Sequence, residues 1–180
     1  VPRNHQTIPR PDRVAAVVDS AAQLFVQHGF ESVKMADIAA KTGIKSGALY
    51  WYFDSKDHLL AAVLGRLVKD EVARLEELPS NVEPADRFIR FLTDLSPTRA
   101  LHAAAHARMA NSEAVTEAHT TLIYTLRTLA AAALDNTQSP EDRELTIDAI
   151  VAAFEGANIP GPWENNPLEI VEFLLQRFNA

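Results

Sequence analysis

The sequence predicts an all-α fold of about nine helices, a small N-terminal head followed by a larger body. Three observations carry that expectation. Apolar residues recur at 3–4 spacing through most of the chain. Small polar residues followed by proline, the pairing that opens helices, occur at Ser96-Pro97, Ser139-Pro140 and Asn166-Pro167, with Glu83-Pro84 a weaker instance. No segment sustains an alternation of β-branched and polar residues, so no sheet is expected.

Taken in order, the first stretch, VPRNHQTIPRPDR, is polar and proline-rich and reads as a loose arm rather than a secretory leader. Asp12 can cap a first helix whose buried stripe is Val14, Val17, Val18, Ala21, Ala22 and Phe25, with Gly29 as its stop. A second, short pattern carries Ile38 and Ala39 inward and ends at Gly43, which can take the left-handed backbone needed just past a helix. Ile44 closes that junction, and Leu49 with Phe53 gives the next helix its buried face. Two helices joined by a short turn containing glycine form a helix-turn-helix, here at about 35–54. Such a unit lays its second helix in the DNA major groove.

Ser55 then caps a long helix, 56–78, carrying Leu60, Val63, Leu64, Leu67, Val68, Val72, Leu75 and Leu78, with Pro79 beyond its end. At 1.5 Å per residue such a helix is roughly 35 Å long, enough to join head to body. Further helices are expected at 84–95, 97–109, 112–135, 140–156 and 167–178, with GANIPGPWENN (156–166) the one long break. The domain division that follows is 1–56 for arm and head and 57–180 for the body.

Composition narrows the function. Hydrophobic residues make up 47% and charged residues 23%, the balance of a globular chain with a real core. No apolar run reaches the ~18 residues of a membrane helix, so no membrane partner is expected. Cysteine is absent, which removes thiol chemistry and fits a cytoplasmic location. The net charge of −7 is unevenly divided. Residues 1–60 hold seven Lys/Arg against six Asp/Glu, a balance of +1; the rest hold ten against eighteen, a balance of −8. A nearly neutral head can present basic groups on one face while the acidic body points away from phosphates.

The run GIKSGALYWYFDSK, Gly43 to Lys56, together with the turn His28-Gly29-Phe30 and the long helix from Ser55, resembles the TetR family of bacterial transcriptional regulators. The resemblance covers roughly residues 12–65. It implies a helix-turn-helix DNA-binding head, a C-terminal helical ligand-binding and dimerisation body, double-stranded operator DNA as partner and a small apolar effector. Four successive aromatics cannot all be core. With Phe53 inward, Tyr50, Trp51 and Tyr52 are left to hydrogen-bond or pack on the DNA backbone. The resemblance also assigns Lys56 to a phosphate. Base readout is expected from Lys45, Ser46, Gly47 and Ala48, and Arg13 and Lys34 are phosphate candidates. The family commonly has serine where this chain has Lys45 and often histidine where it has Tyr52, which leaves the operator sequence open.

In the body, Phe88, Phe91, Leu92, His102, His106, Met109, Leu122, Tyr124 and Leu126 are candidates to line a ligand cavity. His102 and His106 stand at a spacing that could hold a metal, but no third ligand has diagnostic spacing, so structural or solvent-facing histidines, no metal and no cofactor are expected. The resemblance makes the last two helices a homodimer interface, and Ile147, Ile150, Val151, Phe154, Leu168, Val171, Leu174, Leu175 and Phe178 exceed what one small body needs inside. No nucleophile elbow, phosphate-cradling glycine loop or zinc-hydrolase motif is present, so no enzyme is expected. The remaining alternatives are an activator of the same fold and an adaptor that has lost DNA binding.

Overall fold

The structure, a computed structural model, describes residues 10–135, 139–159, 161 and 166–179. Residues 1–9 of the expected arm (1–13) and positions 160 and 162–165 of the expected long loop lie outside the described residues, while positions 10–13 of that arm form the first turn of α1 instead. Among the described residues there is no strand, and the chain runs through α1 (Arg10–His28), α2 (Met35–Thr42), α3 (Ser46–Leu49), α4 (Lys56–Glu76), α5 (Pro84–Leu95), α6 (Arg99–Met109), α7 (Glu113–Ala133), α8 (Pro140–Asn158) and α9 (Pro167–Phe178).

Caps explain most of these boundaries. The Ser55, Ser112 and Ser139 hydroxyls accept from the backbone N–H of His58, Val115 and Asp142, at 3.2, 3.4 and 3.1 Å. Asn166 accepts from Glu169 N–H at 3.0 Å while the Glu169 carboxylate accepts from Asn166 N–H at 3.2 Å, a reciprocal capping box in front of Pro167.

Several expected boundaries move, with α7 ending at Ala133 rather than 135 and α8 at Asn158 rather than 156. Asp12 does not cap α1 but sits in its first turn, where a carboxylate still meets the positive end of the helix dipole. Ser96-Pro97 does not open α6 directly. Ser96 keeps a helical backbone after α5, so residues Ser96–Thr98 tighten into a 3-10 turn and α6 starts at Arg99. The long helix α4 ends at Glu76, two residues early. Its final carbonyls and the turn after it are gathered by Arg87, which donates to Leu75 O at 2.7 Å, Pro79 O at 2.5 Å and Val82 O at 3.1 Å.

Burial divides the interior in two. The head core is Val17, Ala21, Phe25, Ile38, Leu49, Leu59, Leu60 and Val63, and it continues into Leu101 and Ala105 of α6 and Val115 of α7. The body core holds Phe88, Phe91, Leu92, Leu126, Ile150 and Val171. The head core thus crosses the expected boundary at 56/57, because α4 serves both cores and α6 packs beneath the head.

Candidate nucleic-acid face, body cavity and histidine cluster

The turn between α2 and α3 is built from the backbone up. Gly43 has φ 71°, Ile44 N–H donates to Ala39 O at 3.0 Å, and Gly43 N–H donates to Ala40 O at 3.3 Å. This pair of bonds closes α2 in a Schellman motif, with Ile44 packed against the head core as its apolar partner. Lys34 N–H donates to Asp37 Oδ2 at 2.8 Å, fixing the entry to α2. The regular part of α3 spans four residues, after which single turns follow: Trp51 N–H to Ala48 O at 3.2 Å and Phe53 N–H to Leu49 O at 3.1 Å. Leu49 and Phe53 are buried as expected.

The opposite side of this segment faces outward. Lys34, Lys45, Ser46 and Gly47 are exposed, and Ala48 is half-buried. Trp51 is 84% exposed and Tyr50 51%. Tyr52 is half-buried against the head core, and Arg13 is half-buried on α1.

Lys56 departs from its expected place. Its ammonium donates to Phe30 O at 2.8 Å, Val33 O at 3.2 Å and Glu31 O at 3.3 Å, and lies 4.2 Å from the Phe30 ring centroid. Here the lysine ties the α1–α2 turn to the start of α4 rather than reaching outward. Next to it, Arg108 of α6 grips Asp57 in a two-point pair at 3.0 and 2.7 Å. Those bonds and the carboxylate's charge raise the pKa of Arg108.

A cavity of about 300 Å³ opens between α4, the end of α5 with the 3-10 turn after it, α6, α7, α8 and the start of α9. Of the residues expected to line it, Leu92, His102 and Leu122 do so. Phe88, Phe91 and Leu126 are instead fully buried in the body core, Met109 packs on the head core, and Tyr124 points to solvent at 68% exposure. A stripe at helical spacing does not say which face of a bundle helix meets a void and which meets a neighbour. Leu64, Leu67 and Val68 of α4 line the apolar wall, and Arg99, His119 and Asn158 supply polar groups; none of these was expected from the sequence to line a cavity.

Beside the polar wall, α6 and α7 bring three histidines together and α8 adds a carboxylate. His102 and His106 of α6, His119 of α7 and Glu155 of α8 each aim a ligand atom at one point, all within 4.8 Å of one another. His106 Nε2 lies 3.0 Å from His102 Nε2 and 3.1 Å from Glu155 Oε2; His119 Nε2 lies 2.8 Å from the same oxygen. His102 and His119 are buried and His106 is half-buried, so of the two expected alternatives, structural or solvent-facing, His102 is not the solvent-facing one. Burial pushes His102 down to about 4 against the pull of the Glu155 carboxylate, with His106, His119 and Arg99 adding to the downward push. Burial works to raise Glu155, but the hydrogen bond from His119 and the nearby histidines outweigh it, and its pKa is lowered.

The residues expected at a dimer interface sit mostly inside one chain. Ile147, Ile150, Val151, Phe154, Val171 and Leu175 are buried in the body core, with Leu168, Leu174 and Phe178 packed at its edge. The outward faces of α8 and α9 carry a different set. Leu145 is 63% and Phe173 57% exposed, and Ala149 and Ala152 continue the Leu145 stripe along α8.

Known proteins share this head and this layout of helices. Residues 17–63 match the family model described as bacterial regulatory proteins, tetR family. Over 72 residues the chain is 35% identical to the HTH-type transcriptional regulator TtgR of Pseudomonas putida, a match covering 39% of this chain and 34% of that one. Over 65 residues it is 43% identical to the HTH-type transcriptional repressor ComR of Escherichia coli, covering 36% and 30%. The chain thus spans about a third of the length of the curated relatives it matches. The crystal structure of a transcriptional regulator from a Rhodococcus species superposes with a TM-score of 0.70 at 24% identity, covering 96% of this chain and 99% of that one.

Proposed function

We propose that this chain, a member of the tetR family by its head and its fold, is a ligand-responsive transcriptional regulator that works as a homodimer and represses by binding operator DNA. The observation that carries the reading is the outward strip at the start of α3. Lys45, Ser46 and Gly47 are exposed next to Tyr50 and Trp51, on a segment held from behind by Leu49, Phe53 and the Schellman turn. Lys45 and Ser46 can donate to base edges, Gly47 lets the backbone approach the duplex, and the aromatics pack on sugar and phosphate. Lys34 and Arg13 stand as flanking phosphate contacts.

The effector site in this reading is the cavity beside α4. A molecule filling it presses on Leu64, Leu67 and Val68, on the helix that also carries the head's Leu59, Leu60 and Val63. A chromosomal operator sets the site of action in the cytoplasm.

The test is an anisotropy titration of the full chain against duplexes from the DNA flanking its own gene, repeated across salt concentrations. Sequence-selective binding that weakens steeply with salt supports the proposal. Failure to enrich any duplex from an unbiased pool overturns it in favour of an adaptor. A reporter placed behind the selected operator then separates repression from activation.

A further inference from the structure

We propose that His102, His106, His119 and Glu155 form a binding site for one divalent transition-metal ion of the zinc class, fastening α6, α7 and α8 together. The four residues come from three helices, and Glu155 lies 36 residues beyond the nearest of the histidines in sequence. All three imidazoles present the same atom, Nε2, to the meeting point.

The distances fit an ion at the centre. A tetrahedral zinc site with arms of ~2.0–2.1 Å has ligand-to-ligand edges of about 3.3 Å. The measured edges are 2.8 Å (His119–Glu155), 3.0 Å (His102–His106), 3.1 Å (His106–Glu155) and 3.4 Å (His102 Nε2 to Glu155 Oε1). Shifts of up to about half an ångström bring these four edges to that value, and the remaining pairs, His102–His119 and His106–His119, lie within 4.8 Å.

Hydrogen bonding by itself leaves this cluster unsatisfied. An imidazole Nε2 has one in-plane position, occupied by either a proton or a lone pair. His106 Nε2 faces both His102 Nε2 and Glu155 Oε2. If its single proton goes to the carboxylate, it cannot accept from a His102 N–H and can give a His102 lone pair at most a weaker share of that proton. If it accepts from His102, its lone pair opposes the carboxylate. In addition, Glu155 Oε1 is buried and makes no hydrogen bond among the described residues. A cation resolves both conflicts, since three neutral imidazoles and a carboxylate then all turn lone pairs toward one positive centre. Three nitrogen donors and one oxygen favour zinc, nickel, cobalt or copper over magnesium or calcium, which prefer all-oxygen sets. His106 keeps 27% of its side chain exposed, giving an ion a way in.

The site is independent of the DNA-binding reading, and its assay reads metal. Tag-free full-length chain, stripped with a chelator, is titrated with Zn²⁺ and, separately, Co²⁺ in competition with a chromogenic chelator. The expected result is one ion per chain, visible d–d absorption of a four- or five-coordinate Co²⁺ centre, and no competition from excess Mg²⁺. Glu155→Gln, which preserves side-chain shape, and His119→Ala should each weaken uptake at least tenfold. His28→Ala, remote from the cluster, should leave it unchanged. Circular dichroism establishes that each variant is folded, and Zn²⁺ should raise the melting temperature of the wild type but not of Glu155→Gln. Uptake that stays at millimolar strength, or tight uptake unaltered in both cluster variants, overturns the proposal.

Discussion

Lys56 and Trp51 illustrate how two residues of one motif divide their labour. Lys56 follows a resemblance-based expectation toward phosphate, yet its ammonium is already held by three carbonyls and the face of Phe30. Removing it leaves those oxygens short of a donor where Phe30 and Val33 are buried. Lys56→Ala is therefore expected to destabilise the fold by about 1–2 kcal/mol, read by urea denaturation, in addition to any effect on DNA. Trp51 makes the opposite case. At 84% exposure it contributes little to folding, so Trp51→Ala should change stability by no more than ~0.5 kcal/mol. Under the proposed function the same variant weakens binding to operator and to unrelated duplex by a similar factor in anisotropy, as loss of a backbone contact should. Equal behaviour of the two variants in both assays would refute this division.

At the scale of elements, the α2–α3 turn is the part most dependent on one residue. Gly43 sits at φ 71°, and a Cβ added there would meet nothing within 4 Å, so the cost of replacement is conformational rather than steric. Gly43→Ala is expected to cost about 1–2 kcal/mol, and melting of the head followed by tryptophan fluorescence or calorimetry checks it. This turn was legible in the sequence because glycine, a following apolar residue and flanking helical stripes make one consistent local signal. The caps at Ser55, Ser139 and Asn166 were legible in the same local way, whereas Ser112 was expected inside its helix. The brevity of α3 and the 3-10 turn at Ser96–Thr98 were not, since both depend on how neighbouring elements hold the chain. The Arg108–Asp57 pair is likewise nonlocal, joining α6 to the first turn of α4 across 51 positions. A double-mutant cycle of Arg108→Ala and Asp57→Ala should show non-additive destabilisation; strictly additive losses would mean that the pair does not couple α6 to α4.

Across the whole molecule, sequence periodicity identified apolar stripes but not their partners. On α8 one stripe, Ile147, Ile150, Val151 and Phe154, enters the body core, while a second, Leu145, Ala149 and Ala152, faces out. Composition marked the first because its residues are larger. The histidine cluster was half-legible: His102 and His106 announce themselves at i, i+4, but His119 and Glu155 join them only when α7 and α8 pack alongside. The outward stripe of α8 and Phe173 on α9 carry the last prediction. Under the proposed function a single head contacts few base pairs, and two recognition helices must be held about 34–36 Å apart to read both half-sites. The face available for that pairing is the exposed one, with small residues at 149 and 152 allowing close helix approach and the larger Leu145 and Phe173 as anchors. Because both anchors are more than half exposed in the single chain, Leu145→Lys with Phe173→Asp should leave its helicity and core intact. The same pair of changes should shift sedimentation from dimer to monomer and lower operator affinity at least tenfold, since each head then binds alone. By contrast, Ile150→Ala opens the body core and should cost about 2–4 kcal/mol of stability whatever the assembly state. A doubly charged variant that still sediments as a dimer would place the interface on another face of the body.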